Sequence, residues 1–278
     1  MTSTRPRLRP RPLRALTYLA PGLPLELFQA VVDHVGRAIG RPIELVSESR
    51  HSGPMHGDHD PFAAGEAEIG FVCSPSYLYL TSGDAPTVEL VPAGFVFDDS
   101  RNAGAPHYFS DVVVRADRGE RGLDDLRGSV LGFNDTCSMS GYYAALQAVD
   151  EGFFGAEICT GSHAASIEAL LGGDVDVACI DSNVLALERA ARPALGRDLR
   201  VVESLGPHPI QPVVVRRDLA DELAPAVADA LLGLAGDRDA RDRTRAFGLR
   251  SFAPISAELY AEERRVFERL GFLSARCG

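Results

Sequence analysis

The chain has 278 residues, a formal charge of −11, and 45% hydrophobic against 24% charged residues. That composition is globular, with enough length for one large domain or two lobes, and the acidic balance excludes nucleic acid as a partner, since phosphate backbones need a basic face. No lysine is present, which excludes Schiff-base chemistry and a P-loop lysine.

The N-terminal residues 1–14 are Arg/Pro-rich and predict a disordered tail. Residues 15–19 read as a first strand ending in Tyr18. Apolar residues at Leu25, Phe28, Val31, Val32, Val35 and Ile39 have helical spacing, with Gly40 as the stop. Ile43–Val46 and Glu68–Val72 are further strands, the latter opening into Ser74, Ser76 and Tyr77. Between them lies a polar loop with His51, His56, Asp58, His59 and Asp60, a secondary candidate for metal binding. Residues 88–97 form a strand pair or one long strand.

Tyr108–Arg115 and Pro212–Arg216 are strongly β-prone runs that share the string VVVR. Between them the strand–helix rhythm of the first unit repeats, with strands near 129, 157 and 176. This predicts an α/β protein of two lobes, each a mostly parallel sheet flanked by helices. Residues 15–106 and 216–278 would form lobe 1, residues 107–215 lobe 2, with crossings near 108–115 and 212–216. Residues 219–273 read as mostly helical.

The stretch Gly132–Tyr143, GFNDTCSMSGYY, runs from an apolar strand into a Ser/Gly turn at a helix start. Such a turn offers backbone N–H groups and hydroxyls to an anion; it also suits simple capping by Ser138 or Ser140. In open α/β sheets ligands sit beyond the carboxyl ends of strands. Those ends carry Tyr18; Ser74, Ser76 and Tyr77; Ser138 and Ser140; Ser162 and His163; and Asp181, Ser182 and Asn183. If the lobes face each other, the five clusters converge on one cleft. Ser138 or Ser140 with His163 and Asp181 has the composition of a nucleophilic triad, but no GxSxG elbow accompanies it.

Five cysteines, an odd number without CxxC spacing, give neither a disulfide framework nor a zinc motif, a pattern suited to a reducing compartment. No apolar run is long enough to span a bilayer, and no secretory signal precedes the first strand. The expectation is a cytoplasmic chain as the sequence stands, or an extracytoplasmic one if the true N-terminus is missing.

FNDTCSMSGYYAALQ, followed by TGSHAASIEALLGGDVDVACIDSNVLAL, resembles the PhnD-like phosphate, phosphite and phosphonate substrate-binding proteins of ABC importers. LDDLRGSVLGFND and GEAEIGFVCSPSY extend the resemblance. It implies the type II periplasmic-binding fold, with two α/β lobes closing on a small oxyanion, as a transport component partnered by an ABC permease or as a sensing component. It implies no cofactor and no catalytic residue. Ser138, Met139, Ser140 and Gly141 would hold the oxyanion, His163 would donate to it, and Tyr77 would close over it. Asn183 and Gln211 align with carboxylates that hold an ammonium in aminophosphonate binders, so a neutral-tailed ligand is expected. The alternative is a cytoplasmic, lyase-like enzyme of this fold acting on a small carboxylate.

Overall fold

A computed structural model describes residues 11–269 except 21 and 49–50. Most of the expected tail lies outside the described residues. Its last two positions already belong to the first strand, β1 (Leu13–Thr17). Helix α1 (Leu25–Ile39) follows, and its apolar stripe, Leu27, Phe28, Val31, Val32 and Val35, is buried. It stops at Gly40, whose φ of 70° is the left-handed cap conformation; the amide of Arg41 then reaches back to the carbonyl of Gly36 at 3.0 Å. Strands β2 (Ile43–Ser47) and β3 (Ile69–Phe71), helix α2 (Ser74–Leu80), and strands β4 (Val88–Leu90) and β5 (Ala93–Phe97) complete the first half.

The second half starts with β6 (His107–Arg115) and β7 (Val130–Phe133), a single π turn (Met139–Tyr143) and α3 (Ala144–Ala148). Then come β8 (Ala156–Cys159), α4 (His163–Gly172), β9 (Val177–Asp181), α5 (Ser182–Ala191), α6 (Leu195–Asp198) and β10 (Leu199–Pro209). The chain closes with β11 (Val213–Arg216), α7 (Ala220–Gly233), α8 (Arg238–Arg245), β12 (Leu249–Pro254) and α9 (Ala261–Arg269).

Two five-stranded sheets result, ordered β2-β1-β3-β11-β4 and β10-β6-β9-β7-β8. The expected two-lobed α/β architecture is thus present. Each sheet has a parallel half, β2-β1-β3 or β9-β7-β8, and an antiparallel half built on one VVVR strand. The two VVVR strands fall in different sheets: β6 joins the second, while β11 pairs with β3 and β4 of the first. Residues 88–97 split between sheets as well. β4 joins the first, and β5 pairs antiparallel with β12 in a separate ribbon.

Strand β12 departs from the helical reading of residues 219–273. Its burial alternates only loosely because Arg250 is exposed while Leu249 and Phe252 are buried. Pairing with the fully buried β5 decides its conformation. The aromatic core ties these pieces together: Phe28 of α1 lies 5.1 Å from Phe71 of β3, and Phe95 of β5 packs on Phe252 of β12 at 4.7 Å. Burying each such side chain stabilises the fold by roughly 1.5–3 kcal/mol, so the ribbon is held by its apolar face as well as by its ladder.

Candidate functional site

The carboxyl ends of β1, β3, β7 and β9 point toward one cavity of about 60 Å³. From the first sheet's side it is lined by Tyr18, Ser52 and Cys73; from the second by Asn134, Asp135, Ser138, Ser140, His163 and Asp181. Gln211, between β10 and β11, also lines it. The volume suits an anion of a few heavy atoms.

The turn after β7 forms its floor. The amide of Tyr143 bonds the carbonyl of Ser138 at 3.1 Å, an i→i+5 bond that makes the turn a π turn, a form that recurs at functional sites. Ser138 caps it, its hydroxyl accepting from the Gly141 amide at 3.1 Å. From β6, the Ser110 hydroxyl donates to the Ser140 carbonyl at 2.6 Å. These bonds leave the Ser140 hydroxyl facing His163, with Oγ 3.4 Å from Nε2. Gly141 allows the close approach. A Cβ there would sit 1.6 Å from Asn134 Oδ1 and 3.1 Å from the His163 ring.

Asp135 organises the loop between β7 and the turn. It accepts the Cys137 amide at 2.8 Å on Oδ1, and the Asn134 side chain and the Ser52 hydroxyl on Oδ2 at 2.9 and 2.7 Å. Ser52 follows β2, so this bond joins the two lobes. A second join is the Met139 amide, which reaches the Cys73 sulfur at 3.4 Å.

Asp181 ends β9 and caps α5, with Oδ1 accepting from the Asn183 amide at 2.7 Å. Its other oxygen accepts from Gln211 Nε2 at 2.6 Å. Burial pushes Asp181 up to about 6, and these bonds pull it back. Burial also pushes His163 down to about 4, so at neutral pH it is an uncharged imidazole with one donor nitrogen. Among the described residues no carboxylate bonds His163 Nδ1, and Asp181 is engaged elsewhere. A Ser-His-Asp relay is therefore absent from these three residues, because the base lacks its orienting carboxylate.

Of the strand-end candidates and Gln211, the structure brings Tyr18, Ser138, Ser140, Ser162, His163, Asp181 and Gln211 onto the cavity. It places the rest of that set elsewhere. The Ser76 hydroxyl donates to the Pro54 carbonyl at 2.7 Å. Ser74 is buried beside Glu263 of α9. Tyr77 packs edge-on against Tyr260 with centroids 5.0 Å apart, inside an apolar cluster that also takes the Met139 side chain. All three hydroxyl residues ride on α2, which turns away from the cleft one residue after Cys73. Gly141 contributes space and not a surface. Ser182 accepts the Phe109 amide at 3.1 Å, and Asn183 opens with it onto a different depression beside Asp98 and Arg101.

The polar loop after β2 divides likewise. His59 pairs with Glu66 at 2.7 Å, while Asp58 and Asp60 accept local backbone amides. Only His51 of that candidate set reaches the cavity. Sequence reading missed Ser52, Asn134 and Asp135. The available signal was the Asn-Asp pair just before the Ser-rich turn, a pattern that favours side-chain-to-backbone bonds ordering a loop.

No helix among the described residues is long and apolar enough to cross a membrane. A search of curated proteins finds no match. Solved structures resemble the chain along nearly its whole length. A binding-protein component of an ABC phosphonate transporter from Pseudomonas aeruginosa superposes with a TM-score of 0.74 at 17% identity, covering 96% of this chain and 91% of that one. PhnD1 from Prochlorococcus marinus, in complex with methylphosphonate, gives 0.71 at 14% identity, covering 93% and 98%. A Xanthomonas citri protein bound to ATP gives 0.70 at 18%, covering 92% and 98%. At such identities the likeness establishes the two-lobed periplasmic-binding fold. The sequence itself matches, over residues 19–260, the family model described as ABC transporter, phosphonate, periplasmic substrate-binding protein. The family is one of binding proteins, which favours that reading over the lyase-like alternative. The chain belongs to the periplasmic substrate-binding proteins of phosphonate ABC transporters.

Proposed function

We propose that the cavity between the two sheets binds a small phosphorus oxyanion of the phosphonate, phosphite or phosphate type and presents it to an ABC permease. The observation that carries this reading is the π turn itself: a Ser-capped helix start opening onto a cleft with polar side chains on both sides, with Ser140 and His163 side by side. Turn amides and hydroxyls serve a tetrahedral anion well, because the helix dipole and the donors point the same way. Ser138, Ser140 and His163 form the anion-facing group, with Tyr18 and Ser52 closing from the other lobe. The Met139 amide now rests on a thiol, a weak acceptor, and an oxyanion oxygen would take that bond at a gain.

The far side is polar but carries no free ammonium cage. Asn183 is off the cavity, and Asp181 is held by Gln211 and by its own helix. With a cavity of about 60 Å³, a compact ligand with a neutral tail such as methylphosphonate fits better than an aminoalkyl one. Working outside the cytoplasm follows from this role.

A thermal-shift series with phosphate, phosphite, methylphosphonate and 2-aminoethylphosphonate tests the assignment. The melting temperature should rise with ligand following RT ln(1 + [L]/Kd) for at least one of the first three, and least for the last. A flat response to all four would remove the oxyanion reading.

A further inference from the structure

The geometry points to a transition-metal site at the mouth of the cleft, formed by His51, Asp135 and Cys137. The nitrogen, oxygen and sulfur donor atoms of these residues lie within 4.8 Å of one another. Imidazole, carboxylate and thiolate together select a borderline-soft cation of the Zn²⁺ class over Mg²⁺ or Ca²⁺, which prefer all-oxygen shells. Three protein ligands leave a further position open for water or an anion. With metal–ligand bonds of 2.0–2.3 Å, a tetrahedral centre needs donors about 3.3–3.8 Å apart. The contraction required is on the order of 1 Å, and His51, the exposed member, can supply it by rotating about its own side-chain bonds.

Two further observations favour the assignment. Asp135 is buried, and the three groups bonded to its carboxylate among the described residues are neutral: the Ser52 hydroxyl, the Asn134 amide and the Cys137 backbone amide. Its oxygens retain lone pairs beyond those bonds, and a buried carboxylate without a cation is costly. Among the described residues, the cavity lining beside it contains no arginine. The donors come from both sides of the cleft, His51 from the segment after β2 and the other two from the loop after β7, so a bound ion would join the lobes where Ser52 already does. The assignment stands on these side chains alone and is independent of which anion the cavity takes.

Co²⁺ replaces Zn²⁺ in such sites and reports thiolate ligation directly. Titrating the reduced, chelator-treated protein with Co²⁺ in a phosphate-free buffer should produce a saturable sulfur-to-cobalt charge-transfer band, which Zn²⁺ then displaces. Cys137→Ser should abolish the band. His51→Ala changes an exposed residue and keeps the fold, and it should weaken Co²⁺ binding roughly tenfold or more. Absence of the band in the wild-type protein would overturn the site, as would a band that survives Cys137→Ser or an unchanged affinity in His51→Ala.

Discussion

The hydroxyl of Ser52 donates to the carboxylate of Asp135 at 2.7 Å, and the two residues stand on opposite sides of the cleft. One residue therefore does two things. Asp135 orders the loop that carries the turn at residues 138–141, and it accepts a bond from the other lobe. Removing the hydroxyl leaves the loop's own bonds from Asn134 and Cys137 intact. Ser52→Ala should consequently keep the fold and weaken closure. Hydrogen bonds to charged groups contribute about 1.5–3 kcal/mol, so methylphosphonate affinity should fall by roughly ten- to a hundredfold, measured by calorimetry, with a larger fraction of open molecules in small-angle scattering. Unchanged affinity would mean that the Ser52–Asp135 bond takes no part in closure.

Ser140 and Ser76 offer a direct contrast. Both are buried hydroxyls at helix starts and both were candidates by sequence. Ser140 faces the cavity and His163, whereas Ser76 is spent on the Pro54 carbonyl. Ser140→Ala should cost about 1.5–3 kcal/mol of oxyanion binding with little change in melting temperature. Ser76→Ala should cost stability and leave affinity within about twofold, since its bond is internal and worth roughly 1 kcal/mol. Equal losses of affinity in both variants would show that cavity position does not decide which serine binds.

Gly141→Ala tests the packing of the turn. The added methyl would overlap Asn134 Oδ1 at 1.6 Å, and Asn134 is anchored to Asp135. Overpacking of this kind destabilises by about 1–3 kcal/mol, read from urea unfolding, and the displaced Asn134–Asp135 pair should carry ligand affinity down with it. A variant as stable as wild type would show that the loop relaxes freely.

A pH effect is expected away from the cleft. Glu263 on α9 is buried, and among the described residues neither of its carboxyl oxygens is in bonding geometry with a partner. Burial pushes it up to about 7, against the pull of the Ser74 hydroxyl. His208 lies 3.9 Å away, but burial pushes it down to about 4, so the two are not a charged pair at neutral pH. The folded chain holds the Glu263 proton more tightly than the unfolded chain, whose ordinary value is 4.5. Its contribution to stability is therefore full below 4.5 and is lost as pH rises through about 7. Glu263→Gln should match wild type near pH 4 and exceed it above pH 7 by up to roughly 3 kcal/mol, measured by denaturant unfolding at both ends. A variant less stable than wild type at high pH would contradict the uncompensated burial of this carboxylate.

Much of the architecture was legible in the chain because it rests on local patterns. The α1 stripe from Phe28 to Val35 and the Gly40 cap are written in spacing, and the two VVVR runs were readable as strands, though not as the strands that turn half of each sheet antiparallel. What was not legible depends on partners far away in sequence. β12 is a strand because β5 needs an apolar partner for Phe95 and Phe97, which nothing near Leu249 reveals. Val213–Arg216 joins the first sheet because β3 and β4 leave a slot for it. In the site, the Ser-rich turn was readable from its strand-to-helix setting. Ser74, Ser76 and Tyr77 misled because a helix begins immediately after Cys73 and carries them away from the cleft. The Asn-Asp pair hinted at an ordered loop, but the bond from Asp135 to the other lobe was not legible because it requires Ser52, 83 positions earlier.

The most direct test of the account is a crystal grown with methylphosphonate. The account predicts the phosphonate in the cavity between the sheets, with an oxygen within about 3 Å of Ser140 Oγ and another near a ring nitrogen of His163. An occupied cleft with the phosphonate turned away from Ser138 and Ser140, or a ligand found only outside the cleft, would contradict it.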